Sequence, residues 1–540
     1  MKAFDYIVVG SGCAGAMAAQ TLIEAGKKVT MLDVGEQNPG YASAVPDKDF
    51  LDLRASDIGQ YKYFIGEKGE GAIIKDGGKG AQVTPPRSHM LRNVDMFVPL
   101  KSDTFTPLES LGYGGLGIGW GLQCWPFSPK ELRQAGLDPK RMQSAYETIA
   151  RRIGISATND DAAEYTIGKL KTYQQSPTMD SNMVAIHKRY QAKKMTLEKA
   201  GLVLGRTPLA LITEQYGERQ PYQYRDMDFY DDNSKSGWRP WITVDSLRKK
   251  SNFTYINKFL AVRFEERGSQ TIIHGIDTET RRAVAYACQK LILACGSLGT
   301  ARVALRSTGK QGQKTSFLCN PYTYVPSLQP AFFGHAAEHR KIGFGQLSGF
   351  LAEEKTHTDT SIMTLYSYQE LMLFRLLNQV PLDLVDGRML MQYMSPGLII
   401  TGIQHSDTMS DTKTMHLRPN ADSLTGDELE ATYILSDTES KDQRRREDIY
   451  LRSLRKLGVY GTKRINPGHG SSVHYAGTLP FSHKEKPLSL HPSGRLHGTK
   501  NIYAADSSGF NFLPAKGLTF SLLANAHIIA ENVLQDAIKD

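Results

Sequence analysis

A short apolar run, Tyr6-Ile7-Val8-Val9, is followed at once by Gly10-Ser11-Gly12-Cys13-Ala14-Gly15, then by Ala16 to Ala25 with apolar residues at helical spacing, then by a second run, Val29-Thr30-Met31-Leu32. Strand, tight turn, helix and strand in that order make a βαβ unit, which opens a parallel sheet. The first glycine makes the turn, the second lets a pyrophosphate approach the backbone, and the third lets helix pack on strand. Free N–H groups at the amino end of the helix face the phosphate charge. Asp33 ends the second run 23 residues after Gly10, where a carboxylate can accept hydrogen bonds from a ribose. The glycine spacing alone is weak, but all the parts in this order specify a dinucleotide site. Gly10, Gly12, Cys13, Ala14, Gly15 and Asp33 are its candidate residues. Asp33-Val34-Gly35 and the early start of the first strand favour an FAD-type opening over an NAD-type one, a choice that composition does not settle.

With 540 residues, 22% charged and 40% hydrophobic, the chain is neither a small stapled scaffold, nor a disordered tail, nor a collagen-like fibre. Roughly 100–200 residues per domain allows about three to five domains. Lys+Arg 65 against Asp+Glu 56 gives net +9 with no dominant basic block, which argues against nucleic-acid binding. The excess remains compatible with an anionic substrate or an anionic membrane surface. Five cysteines, Cys13, Cys124, Cys288, Cys295 and Cys319, are odd in number and lack metal-ligand spacing, so no disulfide framework, no metal site and a reducing compartment are expected. An apolar run that begins by residue 5 leaves no room for a signal peptide, and a cytoplasmic location follows as the expectation. Apolar stretches such as Leu398-Ile399-Ile400 fall far short of the roughly 18 residues of a spanning helix.

Residues 66–80 carry six glycines among lysines and acids and read as a loop or mobile lid. Pro129 to Lys199 is patterned as helix, and Phe253 to Leu293 alternates as strands. Asp442 to Leu457 reads as a basic helix with Ile449, Leu451, Leu454 and Leu457 on its apolar side. Such a helix either meets a membrane or nucleic-acid surface or packs on a core with a solvated arginine face, and the second is favoured. A closing helix is expected from about Thr519 to Ile538.

Three further segments decide the cofactor. Gly114 to Trp120 (GGLGIGW) followed by Trp125-Pro126-Phe127, Leu291 to Arg302 (LILACGSLGTAR), and Gly498 to Ser508 (GTKNIYAADSS) resemble, in order along the chain, flavin-binding segments of the glucose-methanol-choline oxidoreductase family. Val473-His474-Tyr475-Ala476-Gly477-Thr478 resembles that family's HxxGT motif, which carries its catalytic histidine. The resemblance implies FAD, held by Gly115, Gly119, Trp120, Ala294, Gly296, Asp506, Ser507, Gly517, Leu518 and Thr519 besides the opening residues. It implies His474 as the base that takes a hydroxyl proton while a hydride leaves for the flavin, a task suited to imidazole near neutral pH. The implied substrate is a sugar or other alcohol, and an anionic or lipid-linked one would suit the charge.

The resemblance also implies an α/β fold: a Rossmann-like FAD-binding domain from 1–45, 245–310 and 460–540, a lid and flavin-wrapping segment over 46–130, and a second, α+β substrate-binding domain on an antiparallel sheet over 131–244 and 311–459. Two positions depart from the family. Gly119 stands where one branch has a histidine bonded covalently to flavin, so FAD is expected to be non-covalent. Ala515, followed by Lys516, stands where a second catalytic asparagine or histidine is usual, and Lys516 is the candidate replacement. The rival to alcohol oxidation is a flavin-dependent lyase or isomerase of the same fold that uses FAD in a structural or non-redox role.

Overall fold

The computed structural model describes residues 3–38, 40–68, 83–166, 173–351, 361–367 and 381–539. Strand β1 (Ala3–Val9), helix α1 (Cys13–Glu24) and strand β2 (Val29–Leu32) form the βαβ unit expected from the glycine turn. Among the described residues they belong to a seven-stranded sheet. β1 lies between β2 and strand Ala283–Leu293, parallel to both, with Val8 opposite Met31 and Ile292. Strand Phe253–Ile256 extends the parallel part beyond β2, and Ile502–Ala504 runs parallel to the end of Ala283–Leu293. The other half of that long strand pairs antiparallel with Gln270–Asp277, which pairs with Phe259–Arg267. Ile7, Val8, Met31, Leu291 and Ile292 have almost no exposed surface, as a sheet covered on both faces requires.

The closing helix, Leu518–Lys539, packs on α1. Helix Pro139–Ile153 packs on the closing helix in turn, with Tyr146 Oη 2.6 Å from Ser521 Oγ. Packing therefore joins this helix to the first core, although it lies within the range 131–244 assigned above to substrate binding.

Among the described residues a second, six-stranded antiparallel sheet has the order Tyr460–Gly461, Tyr322–Leu328, Leu398–His405, Ser361–Ser367, Leu347–Leu351, Leu202–Arg206. Its core is closed by helices Ser181–Lys199 and Asp437–Lys456, through Met183, Ile186 and Tyr190 on one and Tyr450 and Leu454 on the other. The basic helix is thus a core-packed helix with a charged outer face. A capping box between Ser436 and Glu439 starts it.

Of the glycine-rich stretch 66–80, only residues 66–68 are described, so the expected lid lies outside the described residues. Among the described residues no helix is long and apolar enough to cross a membrane.

Candidate active site

A cavity of about 320 Å³ opens at the carboxyl ends of β1, β2 and Ala283–Leu293, where Val9, Leu32 and Ala294 form its floor. Ligands of open parallel sheets bind at this end because the helix amino termini converge there. The glycine turn shows why each residue type is needed. Gly10 has φ +105°, and a Cβ there would sit 2.4 Å from Ala294 O. A Cβ on Gly15 would sit 1.9 Å from Gly10 O. Gly12 differs, since it has ordinary φ −64° and a Cβ there would meet nothing nearer than Gly114 O at 3.9 Å. The space above Gly12 is open to the cavity and to the start of α1, whose amino end has no side-chain cap. This is a seat for a phosphate.

Asp33 stands at the rim of the same cavity. Its Oδ2 accepts from Ser11 Oγ and from Tyr255 Oη, the latter at 3.0 Å, and burial pushes its pKa up to about 6 against those hydrogen bonds. Ser11 Oγ also accepts from Gly114 N at 2.9 Å, tying the first turn to the glycine-rich segment Gly114–Trp120. Across the cavity Asp506 caps the short helix Ser507–Gly509: Oδ1 accepts from Ser508 N at 3.0 Å, and Oδ2 from Thr300 Oγ1 at 2.5 Å.

Of the residues expected to hold the cofactor, Gly10, Gly12, Cys13, Ala14 and Asp33 line this cavity with Gly115, Gly119, Trp120, Ala294 and Gly296. Asp506, Ser507, Gly517, Leu518 and Thr519 line it as well. Gly15 lies behind the turn, where its role is the packing of helix against strand. Trp120 meets Trp238 edge to face at 5.9 Å, whereas Trp125 is buried against Phe350 in the second region.

His474 lines the same cavity and is held from several directions. Val473, immediately before it, has φ +61°, a left-handed conformation that is costly for a β-branched residue and recurs at functional sites. After it, Gly477 N donates to Ser507 O at 3.1 Å, and Thr478 Oγ1 donates to Ser297 O at 3.0 Å, so the motif's glycine and threonine lock the histidine strand to two cofactor segments. His474 Nδ1 lies 3.0 Å from Oδ1 of Asn320, a buried residue that no sequence motif singles out. Burial lowers the His474 pKa to about 4.

Lys516 is not part of this group, and its assignment as a catalytic residue is corrected. Its Nζ pairs with Glu131 Oε2 at 2.8 Å, both side chains fully shielded, and it does not line the cavity. The physical reason is burial: Ala515 packs with Trp125, Phe350 and Ile362, and Lys516 Nζ, 5.8 Å from the centre of the Phe350 ring, is held by the buried Glu131 carboxylate.

The second sheet supplies further lining that carried no motif: Tyr366, from strand Ser361–Ser367, and Gln404, from Leu398–His405, face the cavity together with Gln123. Gln123 Nε2 is anchored to Ser348 Oγ at 3.1 Å and Thr364 Oγ1 at 3.2 Å.

A family model described as an FAD binding domain matches residues 5–46, the segment that contains the glycine turn and Asp33. The cofactor is FAD. No curated protein matches the chain. Among solved structures the chain is similar to pyridoxine 4-oxidase from Mesorbium loti, with a TM-score of 0.59 and 11% sequence identity over 98% of this chain and 99% of that one. At that identity the likeness establishes a shared fold over almost the entire chain.

Proposed function

We propose that the chain is an FAD-dependent oxidoreductase of the glucose-methanol-choline type, which oxidises the CH–OH group of a sugar or other alcohol to the carbonyl. The observation that carries this reading is the position of His474: it lines the FAD cavity with one ring nitrogen held by Asn320 and the other without a partner among the described residues. When bound, FAD supplies the two-electron acceptor for the substrate hydride. His474 takes the hydroxyl proton as that hydride leaves, so the alcohol loses two electrons and two hydrogens. Because burial holds the imidazole pKa near 4, it is unprotonated and ready to accept at neutral pH.

The substrate side favours an uncharged alcohol. Gln123, Tyr366 and Gln404 can hydrogen-bond hydroxyl groups, and burial pushes the Tyr366 phenol up to about 12, which keeps it neutral. The cationic side chains of the lining are already paired, Arg302 with Glu109 at 2.6 Å and Arg306 with Asp427 at 2.6 Å. This supports a neutral sugar or alcohol over an anionic one. The flavin-wrapping segment supports a sugar, and the name of the solved neighbour adds pyridoxine to the compounds worth testing. The experiment is an anaerobic screen of neutral and phosphorylated sugars, aliphatic and aromatic alcohols and pyridoxine, read by flavin bleaching. Bleaching by a neutral alcohol supports the reading; turnover of a substrate without flavin reduction would favour the lyase or isomerase alternative.

A further inference from the structure

Asn320 sits where three separate parts of the chain converge. It follows strand Leu318–Cys319 and precedes Tyr322–Leu328, the strand that enters the second sheet. Its side-chain Nδ2 donates to His405 O at 2.8 Å, at the end of strand Leu398–His405, and to Pro514 O at 3.0 Å, just before the closing helix. An amide nitrogen has two hydrogens, and both are used. Rotating the amide by half a turn would set Oδ1 against two carbonyl oxygens, so the orientation is fixed by acceptors that cannot donate. Oδ1 must then face His474 Nδ1, 3.0 Å away, and a carbonyl oxygen only accepts.

We infer that Asn320 is a positioning residue that fixes the tautomer of His474, placing the ring proton on Nδ1 and leaving Nε2 bare toward the cavity. The inference rests on the proposed role of His474 for its functional meaning, but the proton assignment itself follows from the hydrogen-bond directions. A neutral imidazole has one proton, and Oδ1 holds it on the nitrogen away from the substrate. Left to itself, a histidine side chain favours the opposite, Nε2–H form, which would present a donor where an acceptor is needed. The same contact sets the ring plane, as outer-shell partners do for histidines that act through their second nitrogen. Asn320 is only 1% exposed, and the fit admits no obvious substitute: aspartate keeps the acceptor but loses both donors, and leucine loses all three bonds.

The test is nitrogen NMR of the FAD-loaded protein with ¹⁵N-labelled histidine, with the His474 signal assigned by its loss in His474→Gln. The expected result is a protonated Nδ1 and an unprotonated, pyridine-like Nε2 between pH 6.5 and 8.5. In Asn320→Ala the proton is expected to move largely to Nε2, with FAD still bound and flavin reduction at saturating alcohol slowed about 10- to 100-fold. An Nε2–H signal in the parent protein, or an unchanged tautomer and rate in Asn320→Ala, would overturn the inference. If Asn320→Ala does not fold, the parent spectrum alone decides. If the parent shows Nδ1–H but His474→Gln reduces its flavin at the parental rate, the tautomer assignment stands and the proposal that His474 is the base fails.

Discussion

Glu131 Oε2 meets Lys516 Nζ at 2.8 Å, and neither side chain has any exposed surface. The same carboxylate oxygen accepts from Ser128 N at 2.7 Å, so one glutamate closes the capping box of helix Pro129–Gln134 and neutralises a buried lysine. The pair joins that helix to the segment that leads into the closing helix. Lys516→Met should therefore act on stability: removing one partner strands a buried charge, at a cost of about 3–5 kcal/mol. The combined Glu131→Gln, Lys516→Met change keeps a capping side chain without the charge and should recover most of the loss. Thermal unfolding of the three proteins measures this, and a pH profile of flavin reduction that shifts in folded Lys516→Met would show that the lysine reaches the chemistry after all.

Gly12 and Gly15 separate cofactor binding from folding. Gly12→Ala places a methyl group in the open space above the turn at an allowed φ, so the fold should survive while FAD affinity falls at least about tenfold. Gly15→Ala drives a methyl group into Gly10 O and should cost the fold itself. Circular dichroism and FAD titration of the two proteins distinguish these outcomes, and equal FAD affinity in Gly12→Ala and the parent would place the pyrophosphate elsewhere.

Asp33 is expected to make cofactor affinity pH-dependent. Burial raises its pKa to about 6, and the ionised form is the better acceptor for ribose hydroxyls. Affinity should be full above pH 6 and decline as pH falls through that value. Asp33→Ala should remove a charge-assisted hydrogen bond worth about 1.5–3 kcal/mol, which is about 10- to 150-fold in Kd, and flatten the dependence. Titration of apoprotein with FAD at pH 5, 6 and 7.5 gives the answer, and identical pH slopes in variant and parent would exclude Asp33 as the titrating group.

Gly119 offers no side chain to which a flavin could be bonded. Acid or heat should release free FAD into the supernatant, leaving a colourless precipitate. Yellow, fluorescent polypeptide after denaturation would reveal a covalent link through another residue.

The parts of this fold that are legible in the sequence are those in which one residue answers a local steric demand. Gly10 and Gly15 are required by contacts within the turn itself, and the βαβ unit around them is visible from strand and helix patterns alone. Asp506 caps Ser507–Gly509 through its own neighbours, as an Asp-Ser-Ser sequence allows. His474 is legible through its motif. Asn320 is not, because its relation to His474 spans 154 residues and exists only once the second sheet has brought Tyr322–Leu328 beside Leu398–His405. The misassignment of Lys516 has the same origin: its partner Glu131 lies 385 residues away in the chain, and nothing local distinguishes such a buried partner from an open cavity.

The central claim, that His474 deprotonates an alcohol in the FAD cavity, is tested most directly by anaerobic stopped-flow reduction of the parent and His474→Gln proteins with the best alcohol from the screen. Both should bind FAD, and the variant should reduce it about 100- to 10,000-fold more slowly. The parental rate should be level above about pH 5 and fall as the pH approaches 4, where the imidazole, its pKa lowered to about 4 by burial, gains a proton. Equal rates in the two FAD-loaded proteins would contradict the claim.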